Sequence, residues 1–198
     1  MPKPDRRIQR TRQLLHEALI ALILEKGYDA ITVQDILERA NLGRSTFYAH
    51  YHDKEDLLLS GFQSLFEAFQ QQYLQAGPAT DDPVQAARDL SLFFFRHAAE
   101  HRPLFRAMIG QQGSKRIVEH TQSYLTQLIR SSLESWVALH PPVPGPIAPL
   151  DLLAYYTAAS FLSLLTWWLD HDLPYTPEQM DTLYQRLVFP GIREVLLQ

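Results

Sequence analysis

Apolar positions recur every three or four residues along almost the whole chain, which is the spacing of amphipathic helices rather than the alternation of strands. Ile8, Leu15, Leu19, Leu22 and Ile23 share one helical face, and Gly27 stops that first predicted helix. Thr32 stands three residues before Asp35, a capping arrangement for a second, short helix through Val33, Ile36, Leu37 and Ala40. Asn41-Leu42-Gly43-Arg44 supplies turn residues, and Ser45 is placed to cap a third helix through Thr46-Phe47-Tyr48-Ala49-His50-Tyr51. Asp53, with Asp56 three residues on, caps a fourth that carries Leu57, Leu58, Phe62, Leu65, Phe66 and Phe69 and ends near Gly77-Pro78.

After a loop at Ala79–Pro83 the periodicity returns from Val84 to Ala99. Pro103 begins another short helix, and Ile117 to Leu139 forms a long one. The run His140-Pro141-Pro142-Val143-Pro144-Gly145-Pro146 holds four of the thirteen prolines and is expected to be a stiff extended connection. Two further helices are predicted over roughly Pro149–His171 and Pro177–Leu197. No segment alternates long enough to require a sheet, and no internal repeat is present. The expected fold is all-α, with an N-terminal three-helix unit over residues 1–52 and a larger helical unit over residues 53–198.

Composition narrows the chemistry. The 198 residues are 46% hydrophobic, ample for a core. With no cysteine, disulfides, thiolate zinc sites and cysteine nucleophiles are excluded, so any metal site would rest on histidines and carboxylates. The opening Met1-Pro2-Lys3-Pro4-Asp5-Arg6-Arg7 lacks the apolar segment of a signal peptide. No apolar stretch is expected to approach the roughly 20 residues of a membrane span, so the protein is expected in the cytoplasm, away from membranes. The net charge of −4 is unevenly spread. Lys3, Arg6, Arg7, Arg10 and Arg12 face a single Asp5 in the first twelve residues; residues 1–56 hold nine basic and nine acidic groups, and the deficit lies beyond them. A basic head on an acidic body suits either a solvated helix start or a nucleic-acid contact.

Two short helices joined by a tight glycine-containing turn, from Thr32 to Tyr51, have the helix-turn-helix layout that places its second helix in the DNA major groove. Phe47 and Tyr51 are four apart and can share the inward face with Ile36, Leu37 and Ala40, leaving Arg44, Ser45, Thr46, Tyr48 and His50 toward the outside. Arg44 can reach guanine edges or phosphate; Ser45 and Thr46 can contact bases or backbone; Tyr48, His50 and Lys54 suit phosphate oxygens. Thr32 would offer the N-terminus of the second helix to another phosphate. The same spacing also suits a plain helical hairpin inside a bundle.

The stretch Gly27-Tyr28-Asp29-Ala30-Ile31-Thr32-Val33, then Ile36, Ala40 and Gly43, and above all Ser45 through Leu57 resembles the N-terminal domain of the TetR/AcrR family of bacterial transcriptional regulators. The resemblance covers about residues 7–62, with Phe47 where many members have Leu. It implies a homodimeric DNA-binding regulator, a repressor released from a palindromic duplex operator by a small-molecule effector, and no enzymatic activity or cofactor. By the same resemblance Thr32, Arg44, Ser45, Thr46, Tyr48, His50 and Lys54 occupy operator-contacting positions.

One recognition helix of about seven residues buries too little surface for operator specificity, so two copies about 34–36 Å apart are expected. The last two helices offer a dimer surface through Tyr155, Ala158, Leu162 and Leu165 on one and Leu183 and Leu187 on the other, all of which suit intrachain core as well. The body is rich in aromatics, of which Phe62, Phe66, Phe94, Phe105, Tyr124, Tyr156 and Trp167, with Met108, are candidates for an effector cavity or for plain core. One competing motif remains. His97-Ala98-Ala99-Glu100-His101 reproduces the H-x-x-E-H of inverted zinc proteases, which also need a third protein ligand; Glu119 and Glu134 are available by count, but Arg102-Pro103 ends the helix at once. No metal site is therefore expected. A helical adaptor that binds only protein is the third class.

Overall fold

The computed structural model describes residues 6–75, 83–110, 114–139 and 148–197, and every described element is a helix. These are α1 (Arg6–Lys26), α2 (Val33–Ala40), α3 (Arg44–Tyr48), α4 (Lys54–Gln75), α5 (Pro83–Glu100), α6 (Arg102–Ile109), α7 (Lys115–Leu139), α8 (Leu150–Asp170) and α9 (Pro177–Leu197). The all-α reading holds, and no strand occurs among the described residues. The loop and proline-rich connection expected at Ala79–Pro83 and His140–Pro146 fall almost entirely outside the described residues.

The head is built as the apolar spacing requires. Leu15, Leu19, Leu22 and Ile23 of α1 are buried with Ile36 and Leu37 of α2, Phe47 of α3 and Leu57 of α4 in one core. Gly27 ends α1 in the left-handed region at φ +73°, a conformation that costs a residue with a side chain but not glycine. Thr32 and Asp35 form a reciprocal cap: the Asp35 amide donates to Thr32 Oγ1 at 3.2 Å, and the Thr32 amide donates to Asp35 Oδ2 at 2.7 Å. At the other end of α2, Asn41 takes φ 52°, and the Leu42 amide reaches back to the Leu37 carbonyl at 3.0 Å, turning the chain toward α3.

The third helix differs from its prediction. It starts at Arg44 and ends at Tyr48, with Gly43 rather than Ser45 at its N-cap and no side-chain capping bond. Asp53 begins the next helix by accepting from the Asp56 amide at 2.8 Å, so His50 to His52 become the connection. Turn geometry nevertheless carries the helical direction onward: the His50 and Tyr51 amides both bond to the Phe47 carbonyl at 2.9 Å.

In the body α7 packs on α8 and α5 on α9, while α6 leans on α1 and so joins body to head. Phe95 and Trp168 are completely buried at its centre and meet edge to face at 5.6 Å; Phe161 lies 5.0 Å from Phe95. The expectation that no apolar stretch approaches membrane-span length is corrected by α8, whose 21 residues pass that test by length and composition. Half of its apolar window is covered by protein, as befits a core helix walled on two sides.

Candidate nucleic-acid interface

The seat of α3 comes first, because it decides which side chains can face a partner. Phe47 is fully buried and Tyr51 nearly so, their rings 5.9 Å apart. Tyr51 is further fixed against α1: its hydroxyl lies 3.4 Å from His16 Nε2, which is also 3.0 Å from Ser60 Oγ on α4. Ser60 donates to the Leu57 carbonyl, so the His16 nitrogen serves it as the donor. Burial, followed by the nearby Arg12 charge, lowers the pKa of His16 and favours that neutral imidazole.

With two rings inside, the remaining positions turn outward. Arg44, Ser45 and Tyr48 are exposed, Tyr48 at 57%, and Thr46 and His50 are partly exposed. Arg44 bridges back to α2, donating from Nη2 to Gln34 Oε1 at 3.0 Å, so its guanidinium is positioned at the surface. Ser45, Thr46, Ala49 and His50 join Arg7, Ile8 and Thr11 of α1 around an open cleft of about 310 Å³. Arg7 and Thr11 were not among the site candidates, although the basic run at the start of the chain was the signal that could have drawn them in. Thr32 is exposed, but its hydroxyl is engaged with Asp35, so any contact there would fall to the free amides of the first turn.

Lys54 requires a correction. Its ammonium donates to the Ile31 carbonyl at 2.7 Å and the Tyr28 carbonyl at 3.0 Å, and lies 4.4 Å from the centre of the Tyr28 ring. Instead of reaching for phosphate, it ties α4 to the loop ahead of α2, and desolvation in that position lowers its pKa.

The two candidate sets in the body are divided by the structure. Of the dimer candidates, Tyr155, Leu183 and Leu187 are exposed, as are Leu152 and Tyr156 on α8. Ala158, Leu162 and Leu165 are instead buried within the chain, a correction that follows from the opposite face of α8 supplying the core. Of the effector candidates, Phe105 and Met108 are core; Phe62, Phe94 and Tyr124 are half-buried, Phe94 lying 6.1 Å from Phe161. Tyr156 and Trp167 are on the surface, which corrects their assignment to a cavity: Trp167 stacks on His171 at 4.3 Å, and its neighbour Trp168 points inward. The Phe66 side chain lies outside the described residues.

Head and body are tied at one further place. Ser114 Oγ, just before α7, donates to Asp29 Oδ1 at 2.7 Å, and Arg116 pairs with Glu55 at 3.2 Å. Both links join the start of α7 to elements that support the α2–α3 unit.

Comparison with known proteins agrees with this layout. Residues 15–60 match the bacterial regulatory proteins of the tetR family, and residues 87–189 match a transcriptional regulator C-terminal region. The chain is 28% identical over 176 residues to the HTH-type transcriptional regulator YxbF of Bacillus subtilis, covering 88% of this chain and 43% of YxbF. It is 31% identical over 145 residues to TcmR of Streptomyces glaucescens, covering 66% and 57%. It thus spans about half the length of these two relatives. Against the transcriptional repressor KstR2 of Mycobacterium tuberculosis the identity is 26%, with 90% of each covered. Among solved structures, a TetR-family regulator from Syntrophomonas wolfei superposes with a TM-score of 0.68 at 18% identity, over 93% of this chain and 96% of that one. RolR, crystallised with resorcinol, gives 0.59 at 22% identity, over 97% and 90%. The head, its helix-turn-helix and the helical body behind it are therefore those of one family, and the chain belongs to the TetR family of bacterial transcriptional regulators.

Proposed function

We propose that this regulator is a cytoplasmic homodimeric repressor that binds a palindromic duplex operator and leaves it when a small molecule fills the body. The observation that supports this best is the outer face of α3 and the turn after it: Arg44, Ser45, Thr46, Tyr48 and His50 surround a fully buried Phe47 beside the basic start of α1. Such a face offers donors to base edges and phosphates while its own backbone is held rigid. Thr32, at the head of α2, adds amides for a neighbouring phosphate. In this reading residues 1–52 are the DNA-binding unit and 53–198 the regulatory and dimerising one.

One α3 covers only part of a half-site, so the exposed apolar patch of Leu152, Tyr155, Tyr156, Leu183 and Leu187 is the surface on which two copies meet. The body has aromatics available for an effector, Phe62, Phe94 and Tyr124 among them, and RolR with its bound resorcinol is a neighbour of the same fold. An effector acts only by preferring one spacing of the heads over another, with about 1–3 kcal/mol of coupling. The packing of α6 on α1 and the Ser114–Asp29 link are the routes by which that preference reaches α3. None of these roles calls for catalysis.

The direct test is an electrophoretic mobility shift with duplex fragments from upstream of the gene, at two stated salt concentrations. Retardation of one fragment, strengthened at low salt and resistant to competitor DNA, is the expected result. Equal retardation of every fragment would contradict operator recognition.

A further inference from the structure

The H-x-x-E-H segment has no part in the DNA reading, yet the fold assembles it. His97, Glu100 and His101 each present a ligand atom, and these atoms all lie within 4.8 Å of one another. The helix ends at Glu100, but the His101 amide still bonds to the His97 carbonyl at 3.0 Å. The two imidazoles therefore stay one turn apart, with ring centres 4.4 Å from each other. Phe93 stacks flat against His97 at 5.9 Å and Phe105 meets it edge-on at 5.6 Å, fixing the plane of that ring from two sides.

The surroundings leave these donors available. Among the described residues, no hydrogen bond or ion pair engages the Glu100 carboxylate or the ring nitrogens of His97 and His101. The arginines flanking the segment in sequence pair elsewhere, Arg96 with Glu178 at 2.9 Å and Arg102 with Asp172. The site also lies at the C-terminal end of α5, where the helix dipole favours positive charge. Glu100 and His101 are exposed, so rotation about their side-chain bonds can bring the donors to the metal–ligand distances of about 2.0–2.2 Å that zinc requires.

We propose that His97, Glu100 and His101 form a binding site for one divalent transition-metal ion of the zinc class. Two imidazoles and one carboxylate suit zinc, nickel or copper, whereas magnesium and calcium prefer all-oxygen shells. Three protein ligands leave a coordination position for water, and Glu100 serves as a ligand rather than as the base of a protease. The inference stands apart from the operator reading, because it uses none of the residues of α3.

The test is calorimetric titration of the full untagged chain, freed of metal by a chelator, with zinc chloride. One equivalent per chain is expected, with a rise in melting temperature on zinc addition and no binding of magnesium chloride. His101→Ala and Glu100→Gln change exposed residues; each should weaken zinc at least tenfold and abolish the thermal shift while the metal-free melting temperature stays unchanged. Absence of stoichiometric zinc uptake by the wild type would overturn the proposal. So would uptake of undiminished affinity in both variants, which would place the ion on other histidines.

Discussion

The α2–α3 unit and the α8–α9 pair both bury apolar side chains, yet they differ in how those side chains are chosen. In the head, each short helix has one apolar face and one polar face, so Phe47 and Tyr51 have only one direction in which to go. In α8 apolar positions are spread over most of the surface: Leu162, Leu165 and Trp168 face inward, while Leu152, Tyr155, Tyr156 and Trp167 are exposed. A helix with apolar side chains on several faces has no defined inside until its neighbours are in place. The contrast suits the proposed division of labour, in which the head holds a fixed outer surface and the body supplies both its own core and an exposed apolar surface.

The sharpest way to break this comparison is a pair of neighbouring tryptophans. Trp168→Ala should cost about 3–5 kcal/mol in urea unfolding, the usual loss for a buried large aromatic. Trp167→Ala, at 43% exposure, should cost far less. Equal losses would show that the orientation of α8 described here is wrong.

That pair also marks where sequence reasoning reaches its limit. The capping box at Thr32, the turn beginning at Asn41 and the inward pairing of Phe47 with Tyr51 follow from residue type and spacing, and the structure has them all. One-residue choices in the body, Phe95 over Phe94 and Trp168 over Trp167, depend on which helix lies opposite, and that is a long-range fact. The same holds for Ala158, Leu162 and Leu165, whose burial is set by the packing around α8. Lys54 is a different case. Its family position suggested phosphate, but its reach across to the Tyr28–Ile31 loop depends on tertiary structure that periodicity does not encode.

A smaller effect is expected at Lys54. Lys54→Met keeps most of the length of the side chain and removes its bonds to two carbonyls, a net loss of about 1–2 kcal/mol because the half-buried ammonium is screened by solvent. The expected outcome is a lower urea midpoint, with DNA affinity falling only as far as the head unfolds. A large affinity loss in a fully folded variant would restore the phosphate role.

On the α8–α9 side, Leu187→Glu places a charge in the apolar patch where Leu187 is 60% exposed. The self-association constant measured by sedimentation should weaken at least tenfold, about 1.4 kcal/mol, with folding retained. A wild-type chain that sediments as a monomer would contradict the assignment of that patch.

The smallest effect concerns His16, which holds Tyr51 and Ser60 from α1. Its folded pKa lies below the ordinary 6.5, so as pH falls through 6.5 the unfolded chain takes up a proton before the folded one does. Stability is therefore lost on the acid side of 6.5 and is unaffected above it. His16→Gln should flatten part of that decline in urea unfolding measured across a pH series, and an unchanged slope would remove His16 as a contributor.

Operator recognition by the outer face of α3 is tested most directly by fluorescence anisotropy on a labelled upstream duplex at fixed salt. Arg44→Ala and Tyr48→Ala should each weaken binding about tenfold or more, while urea unfolding of both variants stays within about 0.5 kcal/mol of wild type. Binding as tight as wild type in both folded variants would mean that DNA is met by some other surface.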